Sequence, residues 1–97
     1  MASANQTLSD AGGEFEADET ERTATLRTPG GVVSNIGSNP AIIDVDANTG
    51  LTLAENQGGS KRYMPAGSSV QLPGTCRAFT FLAAASPANT SLSFSKG

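Results

Sequence analysis

The residues with the most chemical potential lie between Asp44 and Glu55. Asp44, Asp46, Asn48 and Glu55 stand at positions 1, 3, 5 and 12 of one stretch, the places from which an EF-hand loop offers oxygen ligands to calcium. Such a loop needs glycine at its sixth position, where this chain has Thr49, with Gly50 one place late. Its flanks should also be helical, whereas Ile42-Ile43 is strand-like and 56–60 is glycine-rich. Carboxylates alternating with apolar residues read instead as a half-buried strand with Asp44 and Asp46 outward, followed by an Asn-Thr-Gly turn. No metal ligands are assigned, and tight calcium binding is not expected.

The other reactive side chains lead to the same place. The chain has no histidine, so nucleophile and base pairs built on imidazole are excluded and zinc loses its commonest nitrogen ligand. Cys76 is alone, which rules out an internal disulfide and leaves a small hydrophobe in or beside a strand. Gly58-Gly59-Ser60-Lys61 lacks the glycine framing and the Lys-Ser/Thr order of a phosphate loop and reads as a hairpin tip. No catalytic residue and no cofactor site is assigned, so a non-enzymatic module is expected.

The elements behind these residues are β-like. Hydrophobic residues are 37% of the 97, below the usual globular share, while Gly, Ser, Thr and Asn are abundant; that is the composition of short strands and turns. A formal net charge of −3 argues against nucleic acid as a partner. No apolar run is long enough to cross a bilayer and the N-terminus has no signal-peptide pattern, so a soluble chain made in the cytoplasm is expected.

Charge divides the chain in two. Residues 1–28 carry six acids against Arg22 and Arg27, with Leu8, Phe15 and Leu26 as the few large apolar residues besides Met1. Such a segment buries too little apolar surface to offset its own ordering, which predicts either a solvated tail or, as the sharper reading, an extended acidic arm that orders on a neighbour. Leu8 and Phe15 are the expected anchors and Glu14, Glu16 and Glu19 the expected contacts to basic side chains. A short helix over 14–22 is an alternative, because Asp18 and Arg22 are four residues apart.

Residues 29–97 hold all five prolines, most beside Gly, Asn or Ser, with short alternating runs between them. Strands are expected at 23–28, 32–36, 41–45, 51–53, 69–72, 76–83 and 91–95. The fold class is all-β: a small jelly-roll-like β-sandwich of seven or eight strands, with the arm outside it. The expected core is Ile36, Ile43, Val45, Leu51, Leu53, Val70, Leu72, Phe79, Phe81, Leu92 and Phe94. That core is small for a domain without disulfides or metal, so contacts between copies or docking are expected to add stability.

Four motifs carry a resemblance. They are Asn35-Ile36-Gly37-Ser38-Asn39-Pro40, Ala66-Gly67-Ser68-Ser69-Val70-Gln71-Leu72-Pro73, the aromatic run Phe79 to Ser86 ending in Ala-Ala-Ser, and Ser91-Leu92-Ser93-Phe94. Together they resemble small β-sandwich proteins of tailed bacteriophages over roughly residues 32–95, and most of all the capsid cement or decoration proteins. The resemblance implies a structural protein on the outside of the virion that clamps neighbouring major capsid subunits. A second reading within the same group is a tail, neck or fibre accessory that binds a receptor or glycan, with Asn56, Arg62 and Tyr63 as contacts.

Overall fold

The computed structural model describes residues 3–55, 57–85 and 87–97. Alternation of inward and outward side chains builds nearly every element. In Gly13–Ala17, Phe15 and Ala17 point inward while Glu14 and Glu16 face out; in Thr90–Ser95, Thr90, Leu92 and Phe94 are buried and the serines between them are not. Among the described residues the nine strands are β1 (Gln6–Leu8), β2 (Gly13–Ala17), β3 (Arg22–Leu26), β4 (Gly31–Asn35), β5 (Ala41–Asp44), β6 (Lys61–Met64), β7 (Ser69–Leu72), β8 (Ala78–Ala83) and β9 (Thr90–Ser95).

They form two packed sheets, ordered β1-β3-β8-β5-β6 and β2-β9-β4-β7. Leaving β1 aside, β2-β9-β4-β7 against β3-β8-β5-β6 is the strand order of an eight-stranded jelly roll. β1 is an addition to it, pairing in parallel with β3 from Gln6 opposite Ala24 to Leu8 opposite Leu26. Every other pairing is antiparallel. The β-sandwich expected from the sequence is the fold observed.

The core lies between the sheets. Phe79 and Phe81 of β8 meet Phe15 of β2, with the Phe15 and Phe81 rings edge to face at 4.9 Å, a favoured aromatic geometry. Ala24, Leu26, Val33, Ile43, Met64, Leu92 and Phe94 fill the remainder.

At one end the Asn35 to Pro40 motif has a mechanical explanation. The buried Asn35 side chain donates to the Asn39 and Met64 carbonyls at 2.8 and 2.9 Å and accepts from the Thr90 hydroxyl at 2.7 Å, which ties three segments to the end of β4. Gly37 lies against Thr90 and Ser91 so closely that a Cβ would overlap the Thr90 hydroxyl and come within 2.7 Å of the Ser91 nitrogen.

The structure corrects the reading of residues 1–28. There is no arm and no helix over 14–22 among the described residues: β1, β2 and β3 belong to the sandwich, whose first described strand starts at Gln6 rather than after Pro29. Leu8 and Phe15, expected as partner anchors, are each only 6% exposed and lie in the core. The physical reason is that a strand does not have to bury itself. β2 completes its hydrogen bonds on β9 and β3 on β8, so their few apolar residues close against surface supplied by the rest of the chain.

Two further expectations change. Ile36 continues the outward phase of Val32 and Ser34 and is 50% exposed instead of buried. Leu51 and Leu53 form no strand; the chain after β5 folds back over the outer face of the five-stranded sheet, where Leu51 packs on Ile42 and Leu82 with Leu53 beside them.

Candidate functional site

The polar clusters nearest to a site are spent on holding loops. Asp44 is on the outer face of β5, as its alternation requires, but it is fully buried, with Asp46, Asn48 and Lys61 against it. Its Oδ1 accepts from the Asp46 N–H at 2.9 Å and the Asn48 amide at 3.4 Å, which turns the chain out of β5. Among the described residues Oδ2 meets no hydrogen-bond donor in good geometry and faces the Lys61 ammonium at 4.0 Å. Burial pushes the Asp44 carboxyl up, but the nearby Ser60 hydroxyl and the hydrogen bonds from Asp46 and Asn48 outweigh it and hold the group below its ordinary value. The Thr80 hydroxyl donates to the Asn48 carbonyl at 2.6 Å and Glu21 accepts from the Leu51 N–H at 2.7 Å, so the loop is pinned along the sheet. Asp44, Asp46 and Glu55 do not converge: no group of three acidic or sulfur ligands able to hold a metal ion occurs among the described residues.

Asp18 is the second buried carboxylate and closes the other end. It accepts from the Ser3 N–H at 2.8 Å, the Ser3 hydroxyl at 2.5 Å and the Thr20 N–H at 2.9 Å. The Ser3 hydrogen bonds, then that of Thr20, hold its carboxyl below the ordinary value against the opposing effect of burial, and the Arg22 charge adds to them. Because the folded state lowers this carboxyl, its stabilisation is complete above the unfolded value near pH 3.9 and is lost as pH falls through the lower folded value. Asp44 acts in the same direction. With no histidine in the chain, stability should change little between about pH 5 and 7 and fall below about pH 4. Asp18→Asn should remove about 1–3 kcal/mol at pH 7, with the gap to the unmodified chain narrowing at pH 3; urea unfolding at the two pH values measures this.

The remaining residues expected to bind a partner fall on separate surfaces. Glu14 and Glu16 stand on the outer face of β2, where Glu16 accepts from the Ser91 hydroxyl at 2.5 Å and the Asn89 amide at 3.3 Å. Glu19 is exposed in the β2–β3 turn. Arg62 and Tyr63 lie across the molecule on β6, an edge of the other sheet; Arg62 donates to the Gly59 carbonyl at 2.6 Å, and Tyr63 is half-buried opposite Ile42. Asn56 lies outside the described residues. Nothing brings the acidic set and the β6 set together.

Two surfaces stand out that no motif in the sequence marks. One is the outer face of the four-stranded sheet. The register sets Glu14, Ser93, Ser34 and Ser69 in one row across β2, β9, β4 and β7, and Glu16 and Ser91 in the next. Short hydroxyls leave these two rows low and polar, with Val32 and Gln71 in the row on one side and Ile36 at the end of β4 on the other, whereas the opposite sheet is covered by its own loop.

The other is a cleft of about 310 Å³ at the end where β5 leaves the sheet and β7 turns into β8, lined by Val45, Asp46, Ala47, Pro73, Thr75, Cys76, Arg77 and Ala78. The Cys76 thiol at its floor lies 3.2 Å from the Val45 and Ala78 carbonyls. Burial pushes this thiol up and the Asp46 charge adds to that, against the Ala78 hydrogen bond, so it stays protonated at neutral pH. Ala47 in the wall has a φ of 59°, a left-handed conformation uncommon for a residue with a Cβ. The cleft was not legible because its residues come from two turns far apart in sequence.

Among known proteins, the chain matches no family model, no curated protein and no solved structure.

Proposed function

We propose that this chain is a non-catalytic structural module that docks as a folded body on a larger protein shell, in the manner of a bacteriophage capsid cement or decoration protein on major capsid subunits. The observation that carries the reading is the open face of the four-stranded sheet, where Ser34, Ser69, Ser91 and Ser93 lie flat between the carboxylates of Glu14 and Glu16 and the far edge of β7. Serines lose little rotamer freedom when covered, so a low hydroxyl face can accept a partner surface at small entropic cost. The absence of histidine and the use of Asp18 and Asp44 as loop ties support a role without turnover. The resemblance in the 32–95 region supplies the identity of the partner.

A glycan-binding tail or fibre accessory is supported less well. All four phenylalanines are in the core, which leaves Tyr63 as the one ring near the surface for a sugar to stack on.

The test is occupancy on phage heads stripped of this protein. Ser93→Arg places a long charged side chain in the middle of the exposed face and should reduce occupancy at least tenfold while leaving the thermal transition unchanged. Arg62→Ala and Tyr63→Ala should bind as the unmodified chain does. Full occupancy by both Ser93→Arg and Ser34→Arg would remove this face from consideration, and loss of binding in the β6 variants alone would favour the accessory reading.

A further inference from the structure

Ile36 is the one large apolar side chain exposed among the described residues, and it sits at the opposite end of the molecule from the apolar cleft over Cys76. β4 fixes that separation. Gly30, just before the strand, donates its N–H to the Cys76 carbonyl at 2.9 Å, and Ile36, just after it, donates to the Ser91 carbonyl at 3.0 Å. Six steps of extended chain put the two ends about 20 Å apart.

We infer that Ile36 of one copy enters the Cys76 cleft of a second copy, joining identical chains head to tail. The cleft has the chemistry for an aliphatic side chain, since Val45, Ala47, Pro73, Cys76 and Ala78 supply apolar lining. Its volume of about 310 Å³ exceeds what one isoleucine needs, which leaves room for the neighbouring 36–39 turn.

Charge supports the same pairing. The Ile36 end is acidic at its surface: Glu16 hydrogen-bonds Ser91, to which Ile36 is itself bonded, and the adjacent turn adds Glu19 and Glu21, with Arg22 as the base beside them among the described residues. The cleft end carries Arg27, Arg77 and Lys96 against Asp10 and Asp46, with Arg77 and Asp46 in the cleft lining itself. An acidic knob therefore meets a basic socket. Because the two surfaces differ, each copy keeps one of each free, and the contact propagates into a ring or an open chain rather than stopping at a two-fold dimer.

This inference concerns contacts between copies and does not depend on what shell the chain docks on. Cys76 is the sole cysteine, which makes the test specific. Ile36→Cys, exposed and so tolerated by the fold, is treated with diamide as oxidant in the otherwise intact chain. The 36 and 76 positions of one molecule are too far apart to bridge, since a disulfide needs Cα atoms within about 7 Å. Cross-linked trimers and larger species, lost when Cys76→Ala is added, are expected. In parallel, sedimentation of the unmodified chain should show association that rises with concentration. Ile36→Asp and Arg77→Glu should each weaken it at least tenfold without changing the circular dichroism. Cross-linking that stops at a dimer and survives Cys76→Ala would overturn the inference, as would a chain that stays monomeric at millimolar concentration.

Discussion

A form of the chain that begins at Pro29 should be unfolded. The truncation removes β1, β2 and β3, and with them one edge of each sheet. β9 loses its partner from Gly13 opposite Phe94 to Ala17 opposite Thr90, and β8 loses its partner from Arg22 opposite Phe81 to Thr25 opposite Ala78. Leu8, Phe15, Ala17, Ala24 and Leu26 leave the core, so Phe79, Phe81, Leu92 and Phe94 face water on one side. At about 1.5–3 kcal/mol for each large buried side chain, the loss of Leu8, Phe15 and Leu26 alone is comparable with the 5–15 kcal/mol by which a domain of this size is stable. Circular dichroism and amide dispersion should both report a disordered chain. A cooperative thermal transition in the truncated form would mean that the first three strands decorate a sandwich complete without them.

What was legible in the sequence follows from where each residue takes its partners. β8 and β9 announce themselves because Phe79 and Phe81, or Leu92 and Phe94, repeat at period two within one short run, and the outcome for them needs no knowledge of the neighbours. β2 carries the same signal in Phe15 and Ala17, but between acids and inside a segment whose composition is that of a disordered tail. Composition measures what a segment could bury on its own, whereas an edge strand closes on surface built elsewhere. β6 is hidden in the sequence for a related reason. Lys61-Arg62-Tyr63 reads as loop, yet charged side chains are common on edge strands, where they discourage pairing with other chains.

Ile36 shows how phase decides burial. Val33 and Asn35 are the inward residues of β4, so an isoleucine at the next position faces outward whatever its hydropathy. The Asp44 to Glu55 stretch shows the converse. Its outward aspartate was assigned to the right face, but that face is covered by the loop that follows, through Leu51 contacts and backbone bonds that no local pattern records. Of the surfaces with functional meaning, the serine face is implicit in the alternation of β4, β7 and β9 once their register is known, and the cleft depends on the meeting of two distant turns.

Phe15→Ala separates a core strand from a docking arm in a single measurement. If residues 1–28 were an arm, the variant would keep its thermal transition and lose affinity for a partner. In the sandwich, Phe15 is 6% exposed and its ring sits 4.9 Å from that of Phe81 and 6.3 Å from that of Phe79, so its removal leaves a hole between the sheets. Phe-to-Ala changes at such positions cost about 3–5 kcal/mol. For a chain of this length that lowers the midpoint of thermal unfolding by on the order of 20 °C. Phe15→Leu, which keeps most of the volume, should lose about half as much or less. Glu14→Ala, one residue away on the outward face, should stay within about 0.5 kcal/mol of the unmodified chain. The edge position of β2 allows partial collapse around the hole, which puts the expected value toward the lower end of the range. A transition unchanged by Phe15→Ala would place the ring outside the core and return residues 1–28 to the surface.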